Sequence, residues 1–168
     1  MEIKAEAIQS GAKIRVVGVG GGGNNSVARM IQAGLTNVDF IAINTDSQAL
    51  ASNPADIKVN IGKQLTRGLG SGANPDVGRR AAEESADEIH EVLKGSDMVF
   101  LTYGLGGGTG TGAGSVVAEI AQQSGALTVA ILTLPFTFEG LKRRESSERG
   151  YDDSLLLRPS KVKGSVSI

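Results

Sequence analysis

Apolar residues alternate between two rhythms along this chain: short unbroken β-branched runs, and stretches where they recur every three or four positions. Ile14–Val19 is a run of the first kind ending in glycines, which predicts a buried parallel strand. Val27, Met30 and Ile31 then keep helical spacing, on a helix that Asn24 or Asn25 is expected to cap. Phe40–Ile43 reads as a second strand, closing on Asn44-Thr45-Asp46. Ile57, Val59 and Ile61 alternate with polar residues, the mark of an edge or half-exposed strand.

The glycines between Thr66 and Ala73 exclude regular structure there. Asn74-Pro75 follows, the pairing of an N-cap with proline at the first helical position. Val77, Ala81, Ile89 and Leu93 predict one continuous helix ending at Gly95. Met98–Leu101 is a strand; Ala113, Val116, Val117, Ile120 and Ala121 mark an amphipathic helix closed by Gly125; Leu127–Leu132 is a last strand, left through Thr133-Leu134-Pro135-Phe136. Strands alternating with helices imply an α/β fold with a doubly wound, mostly parallel sheet and right-handed crossovers. Ligands of such sheets bind beyond the carboxyl ends of the strands. The segments leaving those ends should therefore share one rim.

Two of these segments are glycine cradles, Gly20-Gly21-Gly22-Gly23-Asn24-Asn25 and Gly104 to Gly112, the second holding Gly107, Gly108, Thr109, Gly110 and Thr111. Strand, glycine loop and helix in that order hold phosphate, because glycine admits close backbone approach and the helix start offers unpaired N–H groups. One helix end stabilises an anion by only about 0.3–1 kcal/mol, whereas micromolar affinity needs about 8 kcal/mol. Several charge-assisted hydrogen bonds at roughly 1.5–3 kcal/mol each supply the difference. Two converging cradles thus point to a polyphosphate ligand.

Gly18-Val19-Gly20-Gly21-Gly22-Gly23 also satisfies the dinucleotide pattern, with Asp46 near the end of the next strand. An NAD-binding module is the rival reading, although its scheme calls for no second cradle. Neither cradle ends in Gly-Lys-Ser/Thr, so a Walker loop is excluded. His90, between charged neighbours, reads as solvated. Asp152 and Asp153 are adjacent and would point apart on a helix. Phe136 and Phe138 could stack on a base, but aromatics beside a strand end usually pack a core.

Composition adds bounds. The 168 residues suit one core; 40% hydrophobic and 21% charged residues are globular values. Seventeen basic against 18 acidic residues leave a net charge of −1, which advertises no nucleic-acid partner. With no cysteine there is neither disulfide nor thiolate ligand. The first 12 residues, read as an N-terminal extension, lack a secretory apolar stretch. No run approaches the roughly 20 apolar residues of a membrane helix. A cytoplasmic protein without membrane insertion is expected.

The run Gly106-Gly107-Gly108-Thr109-Gly110-Thr111-Gly112 resembles the signature of the tubulin and FtsZ superfamily. Gly20 to Asn25, Asn44-Thr45-Asp46, Gly70 to Pro75, and Pro135 to Gly140 with Lys142-Arg143 agree with the FtsZ family of bacterial cell-division GTPases, collinear from about Ile14 to about Arg149. The resemblance implies that Gly20, Gly21, Gly22 and Asn25 wrap one side of the phosphates of GTP or GDP, with Gly107, Gly108, Thr109 and Gly110 on the other. It implies Gly72 and Ala73 beside the terminal phosphate, and Thr133, Pro135, Glu139 and Arg143 along the ribose and phosphate side. Gly23, Asn24 and Gly104 complete the candidate site. Mg²⁺ would be held through the phosphates rather than by side chains. Implied partners are further copies or full-length FtsZ-like subunits, assembling head to tail into the division ring, and other cell-division proteins.

The chain departs from that family at its end. Family members continue with another strand, a central helix and a second domain; here Ser154 to Ile168 matches none of these. Residues 13–153 are therefore expected to be an incomplete GTP-binding domain and 154–168 an aberrant tail, from a shifted frame or truncated gene, with a short paralogue as the alternative. The family's acidic hydrolysis loop has no counterpart, so no catalytic residue is assigned and slow turnover is expected. An inactive fragment capping full-length filaments is a further alternative. Apolar surface bared by the missing helix predicts marginal stability or self-association. Tyr103, where the family has a small residue, is expected to crowd or stack on the nucleotide. Gly114-Ser115 replaces Ala-Pro, and Leu134 replaces a basic residue.

Overall fold

The computed structural model describes residues 11–156. Five strands form one all-parallel sheet: β1 (Ile14–Val19), β2 (Asp39–Asn44), β3 (Ile57–Asn60), β4 (Met98–Gly104) and β5 (Leu127–Thr133), in the order β3-β2-β1-β4-β5. Among the described residues six α-helices lie between them, α1 (Gly20–Gln32), α2 (Ser47–Ala51), α3 (Lys63–Thr66), α4 (Pro75–Glu84), α5 (Ala86–Leu93) and α6 (Thr109–Gln123), and α7 (Leu141–Leu156) follows β5.

The side-chain alternation of β1 sorts the core. Val16 joins Val27, Phe40 and Leu50 on the side covered by α1 and α2. Val17 and Val19 join Ile41, Ile43, Ile89, Leu93, Leu101 and Val117 on the side covered by α4, α5 and α6. A parallel sheet needs both faces covered, and β1, β2 and β4 are. β5 is an open edge: Leu127, Val129 and Ile131 are 61%, 37% and 50% exposed. No helix among the described residues is long and apolar enough to cross a membrane.

Four expectations need correction. Helix α1 begins at Gly20 with Val19 as its N-cap, so Asn24 and Asn25 lie inside the helix and cap nothing. The first cradle is a helical first turn rather than a loop, because the chain must start turning immediately to bring it against the second. The single helix expected from Pro75 to Gly95 is two, broken at Ser85, whose hydroxyl accepts from the Gly62 amide. Tyr103 does not face a ligand. It is 1% exposed and its hydroxyl pairs with that of Ser154 at 2.8 Å; burial raises its pKa above the ordinary 10.0. A Cβ on Gly114 would come within 2.4 Å of the Tyr103 ring, so the large residue at 103 and the small one at 114 are one packing solution.

The boundary expected after Asp153 falls inside α7, which runs to Leu156. Ser154, first residue of the expected tail, is bonded to Tyr103 and to the Gly150 carbonyl. The rest of that tail and the first ten residues lie outside the described residues.

Candidate phosphate-binding site

The strand order reverses between β1 and β4, which pair from Ile14↔Met98 to Val19↔Tyr103. The two glycine cradles leave the next positions, Gly20 and Gly104, side by side. A crevice at such a reversal is where open α/β sheets bind ligands. The sequence order of the cradles, some eighty residues apart, is thereby turned into contact.

Contact is direct. Gly20, at φ +71°, backs onto the second cradle so closely that a Cβ would lie 2.7 Å from the Gly110 amide nitrogen. A Cβ on Gly22 would rest 3.5 Å from Gly104, and one on Gly110 would meet the Gly104 carbonyl oxygen at 2.4 Å. The loop before α4 settles on the same place: a Cβ on Gly108 would strike the Ser71 hydroxyl and lie 2.7 Å from the Asn74 amide nitrogen. The far flank is closed by the segment after β5. The Leu105 amide donates to the Thr133 carbonyl at 2.8 Å, and a Cβ on Gly106 would lie 3.2 Å from the Pro135 ring.

Other glycines of the rim face nothing. A Cβ on Gly21, Gly72 or Gly107 would meet no atom within 4 Å. These positions leave the main chain open to a ligand, and the unfilled space beside each is the fit expected for phosphate oxygens approaching amides. Thr109 starts α6 with its hydroxyl buried, and Asn25 is exposed at the first cradle.

Asn24 behaves differently from its neighbours. Its amide nitrogen donates to the carbonyls of Gly18 and Ile43, its oxygen accepts from Asn44, and its own carbonyl accepts from Asn53. Asn60 donates in turn to the Asn44 carbonyl. This buried amide network fixes where β1 and β2 release the chain. Asn24 thus positions the first cradle from behind it. The sequence gives no sign of Asn53 or Asn60, whose partners are distant in the chain.

Glu139 and Arg143 form an ion pair one helical turn apart at 2.6 Å, and Glu139 also accepts from the Phe136 amide. That backbone bond, then Arg143, holds the Glu139 carboxyl below its ordinary pKa of 4.5. Phe136 and Phe138 stack with centroids 5.3 Å apart and are exposed, as is Leu134. Asp46, the ribose candidate of the dinucleotide reading, caps α2 by accepting from the amides of Gln48 and Ala49. His90 is exposed.

A cavity of about 470 Å³ adjoins this rim at Gly72 and Ala73 and extends between the start of α4 and α7 over Thr111 and Gly112. Its charged lining is mixed, with Arg79, Lys142 and Arg149 against Asp76, Glu145 and Asp153. Arg79 and Asp153 pair with each other, clamping α7 to α4.

A model of the tubulin/FtsZ family GTPase domain matches residues 13–155. Among solved structures, the empty FtsZ dimer of M. jannaschii is 53% identical with a TM-score of 0.84, over 87% of this chain and 43% of that one. GDP-bound monomeric CetZ1 from Haloferax volcanii is 26% identical with a TM-score of 0.78, over 86% and 48%. The GTPγS-bound CetZ2 protofilament from the same organism is 28% identical with a TM-score of 0.75, over 84% and 45%. The chain spans less than half the length of each.

Proposed function

The chain belongs to the tubulin/FtsZ family, whose GTPase domain spans most of it, and from that membership we propose that it binds GTP and GDP on the rim formed by its two cradles. The observation that carries this is the packing of Gly20 on Gly110 and Gly22 on Gly104, which leaves Gly21 and Gly107 bare beside it. Amides of the first turns of α1 and α6, that of Thr109 among them, take the phosphate oxygens. Gly72 and Ala73 sit by the terminal phosphate. Thr133, Pro135, Glu139 and Arg143 form the flank toward the ribose, where the guanidinium suits phosphate geometry. Mg²⁺ is held by the phosphates.

GTP when bound supplies the phosphoanhydride bond that hydrolysis breaks. Catalysis of that kind works by positioning and charge stabilisation. The two acids of the rim segments are already committed, Asp46 to capping α2 and Glu139 to Arg143 and Phe136. Held in these bonds, both are structural first, so turnover by this chain alone is slow and the water-orienting acid comes from a neighbouring subunit. Self-association follows as part of the function, with FtsZ-like subunits assembling head to tail in cell division. The site is in the cytoplasm, where GTP is available.

The test is titration of the purified chain with fluorescent GTP, competed by GDP and by NAD. Competition by GDP alone supports the reading; competition by NAD alone would replace it with a dinucleotide site. Phosphate release measured with and without full-length FtsZ then separates binding from turnover.

A further inference from the structure

Helix α6 starts without a side-chain cap. Its N-cap is Gly108, which has no side chain to bond the amides of the first turn. The second cradle enters the helix at this point, so the direction of its peptides has to be fixed by other bonds. Two amides ahead of the helix are spent on the protein. That of Leu105 donates to the Thr133 carbonyl, and that of Gly106 donates to the Thr111 hydroxyl at 2.9 Å. The amides of Gly107 and Gly108 bond no acceptor among the described residues.

Thr111 is the third residue of α6, the position from which a side chain reaches back over the helix start in a capping box. Here it reaches past the N-cap to Gly106, from a place where it is buried. Its methyl meets α7: a Cβ on Gly150 would lie 2.6 Å from that methyl and 3.0 Å from Leu105. Helix α7 also touches the loop at Gly106 itself. The φ of Gly106 is +101°, and a Cβ there would lie 3.0 Å from the Arg143 carbonyl oxygen, so this position admits only glycine. Thr111 therefore stands between the cradle and α7, with its hydroxyl turned to one and its methyl to the other.

We propose, resting on the guanine-nucleotide reading of the site, that Thr111 is the positioning residue of the second cradle. By holding the Gly106 amide inward, its hydroxyl sets the peptides that follow and leaves the Gly107 and Gly108 amides to the phosphate oxygens. Its methyl seats α7 behind the loop. Thr111 itself touches no ligand. The hydroxyl serves binding and the methyl serves stability, and substitution separates the two, because valine keeps the methyl and serine keeps the hydroxyl.

The experiment measures dissociation constants for GTPγS and GDP, in Mg²⁺, together with thermal melts, for the full 168-residue chain and the variants Thr111→Val and Thr111→Ser. Thr111→Val keeps the contact with Gly150 and removes the acceptor. It is expected to weaken both nucleotides together, each about tenfold, the equivalent of one charge-assisted hydrogen bond to phosphate. Thr111→Ser returns the hydroxyl and is expected to restore both affinities to within about twofold, while melting earlier for want of the methyl. Thr111→Val binding within about twofold of the unsubstituted chain, or both variants weakened alike, would overturn the proposal and leave the nucleotide site standing. Where Thr111→Val fails to fold, amide hydrogen exchange of the unsubstituted chain decides. The Gly106 amide is expected to be protected with and without GDP, and those of Gly107 and Gly108 only with it; a Gly106 amide that gains protection on adding GDP would overturn the assignment. Failure of the unsubstituted chain to bind either nucleotide would sink the guanine-nucleotide reading itself, and this inference with it.

Discussion

Alanine at Gly107 and at Gly110 should have opposite consequences, although the two residues are three apart in one glycine run. A Cβ on Gly107 meets nothing within 4 Å and its φ is not in the left-handed region. Its substitution should leave the fold unharmed or stabilise it by about 0.4–1 kcal/mol through the unfolded chain. With nucleotide bound, the same methyl stands where phosphate oxygens approach the amides. Displacing one charge-assisted bond at about 1.5–3 kcal/mol weakens binding roughly ten- to hundredfold, at 1.4 kcal/mol per factor of ten. A Cβ on Gly110 instead strikes the Gly104 carbonyl oxygen at 2.4 Å. Neither partner is a flexible side chain, so the cost is that of overpacking, about 1–3 kcal/mol or more, and it falls on folding. Urea melts read the folding term and fluorescent GTP titration the binding term. Gly107→Ala that binds GTP within twofold of the unsubstituted chain, with its melt intact, would refute close main-chain approach as the basis of the site.

Further outcomes follow from the packing and the charges. Gly114→Ala should cost about 1–3 kcal/mol by urea denaturation, and markedly less in a Tyr103→Ala background, because the clash is with the Tyr103 ring; equal costs in both backgrounds would refute the pairing. Asn24→Ala should destabilise the chain by several kcal/mol in the same assay, since it strips partners from buried groups at Gly18, Ile43 and Asn44. The Glu139 carboxyl titrates below its ordinary 4.5 in the folded chain, so its hold on Phe136 and Arg143 is complete above that value and is lost as pH falls through the lowered one. NMR titration of Glu139 should show this directly, and Arg143→Ala should move its pKa upward while leaving the larger backbone contribution. Ile131→Lys on the open β5 edge should reduce self-association in sedimentation velocity, as charge on an exposed edge does; an unchanged distribution would exclude that edge as the contact.

How much of this is legible in the sequence depends on whether a feature is local. The five strands are legible because their apolar residues come in short unbroken runs, or in β3 alternate with polar ones, too short for a helix, and the rim follows from their parallel alternation. The start of α1 is not, since four glycines in succession argue against helix; the turn forms there because Gly23 sits where a Cβ would be 2.2 Å from the Thr102 carbonyl oxygen, a contact made across the sheet. The break at Ser85 depends on Gly62, twenty-three residues away. Tyr103 misleads for a related reason. Its neighbour in sequence is the cradle, but side chains alternate along β4, so its ring turns into the core and finds Gly114.

The glycines of the rim show where sequence reading stops. Gly20, Gly108 and Gly110 exist so that main chain can touch main chain: each has backbone within about 2.7 Å of where a Cβ would be. Gly21 and Gly107 have no such neighbour and no left-handed φ, so neither close packing nor backbone conformation accounts for them, whereas Gly72, equally open, sits at φ +60°, which by itself favours glycine. Composition and spacing cannot separate the two groups, because both lie in the same runs. The separation comes from the β1–β4 register, which sets one cradle on the other and leaves particular positions facing outward. A ligand that needs bare amides from both cradles at once explains the second group. A purely structural origin explains only the first.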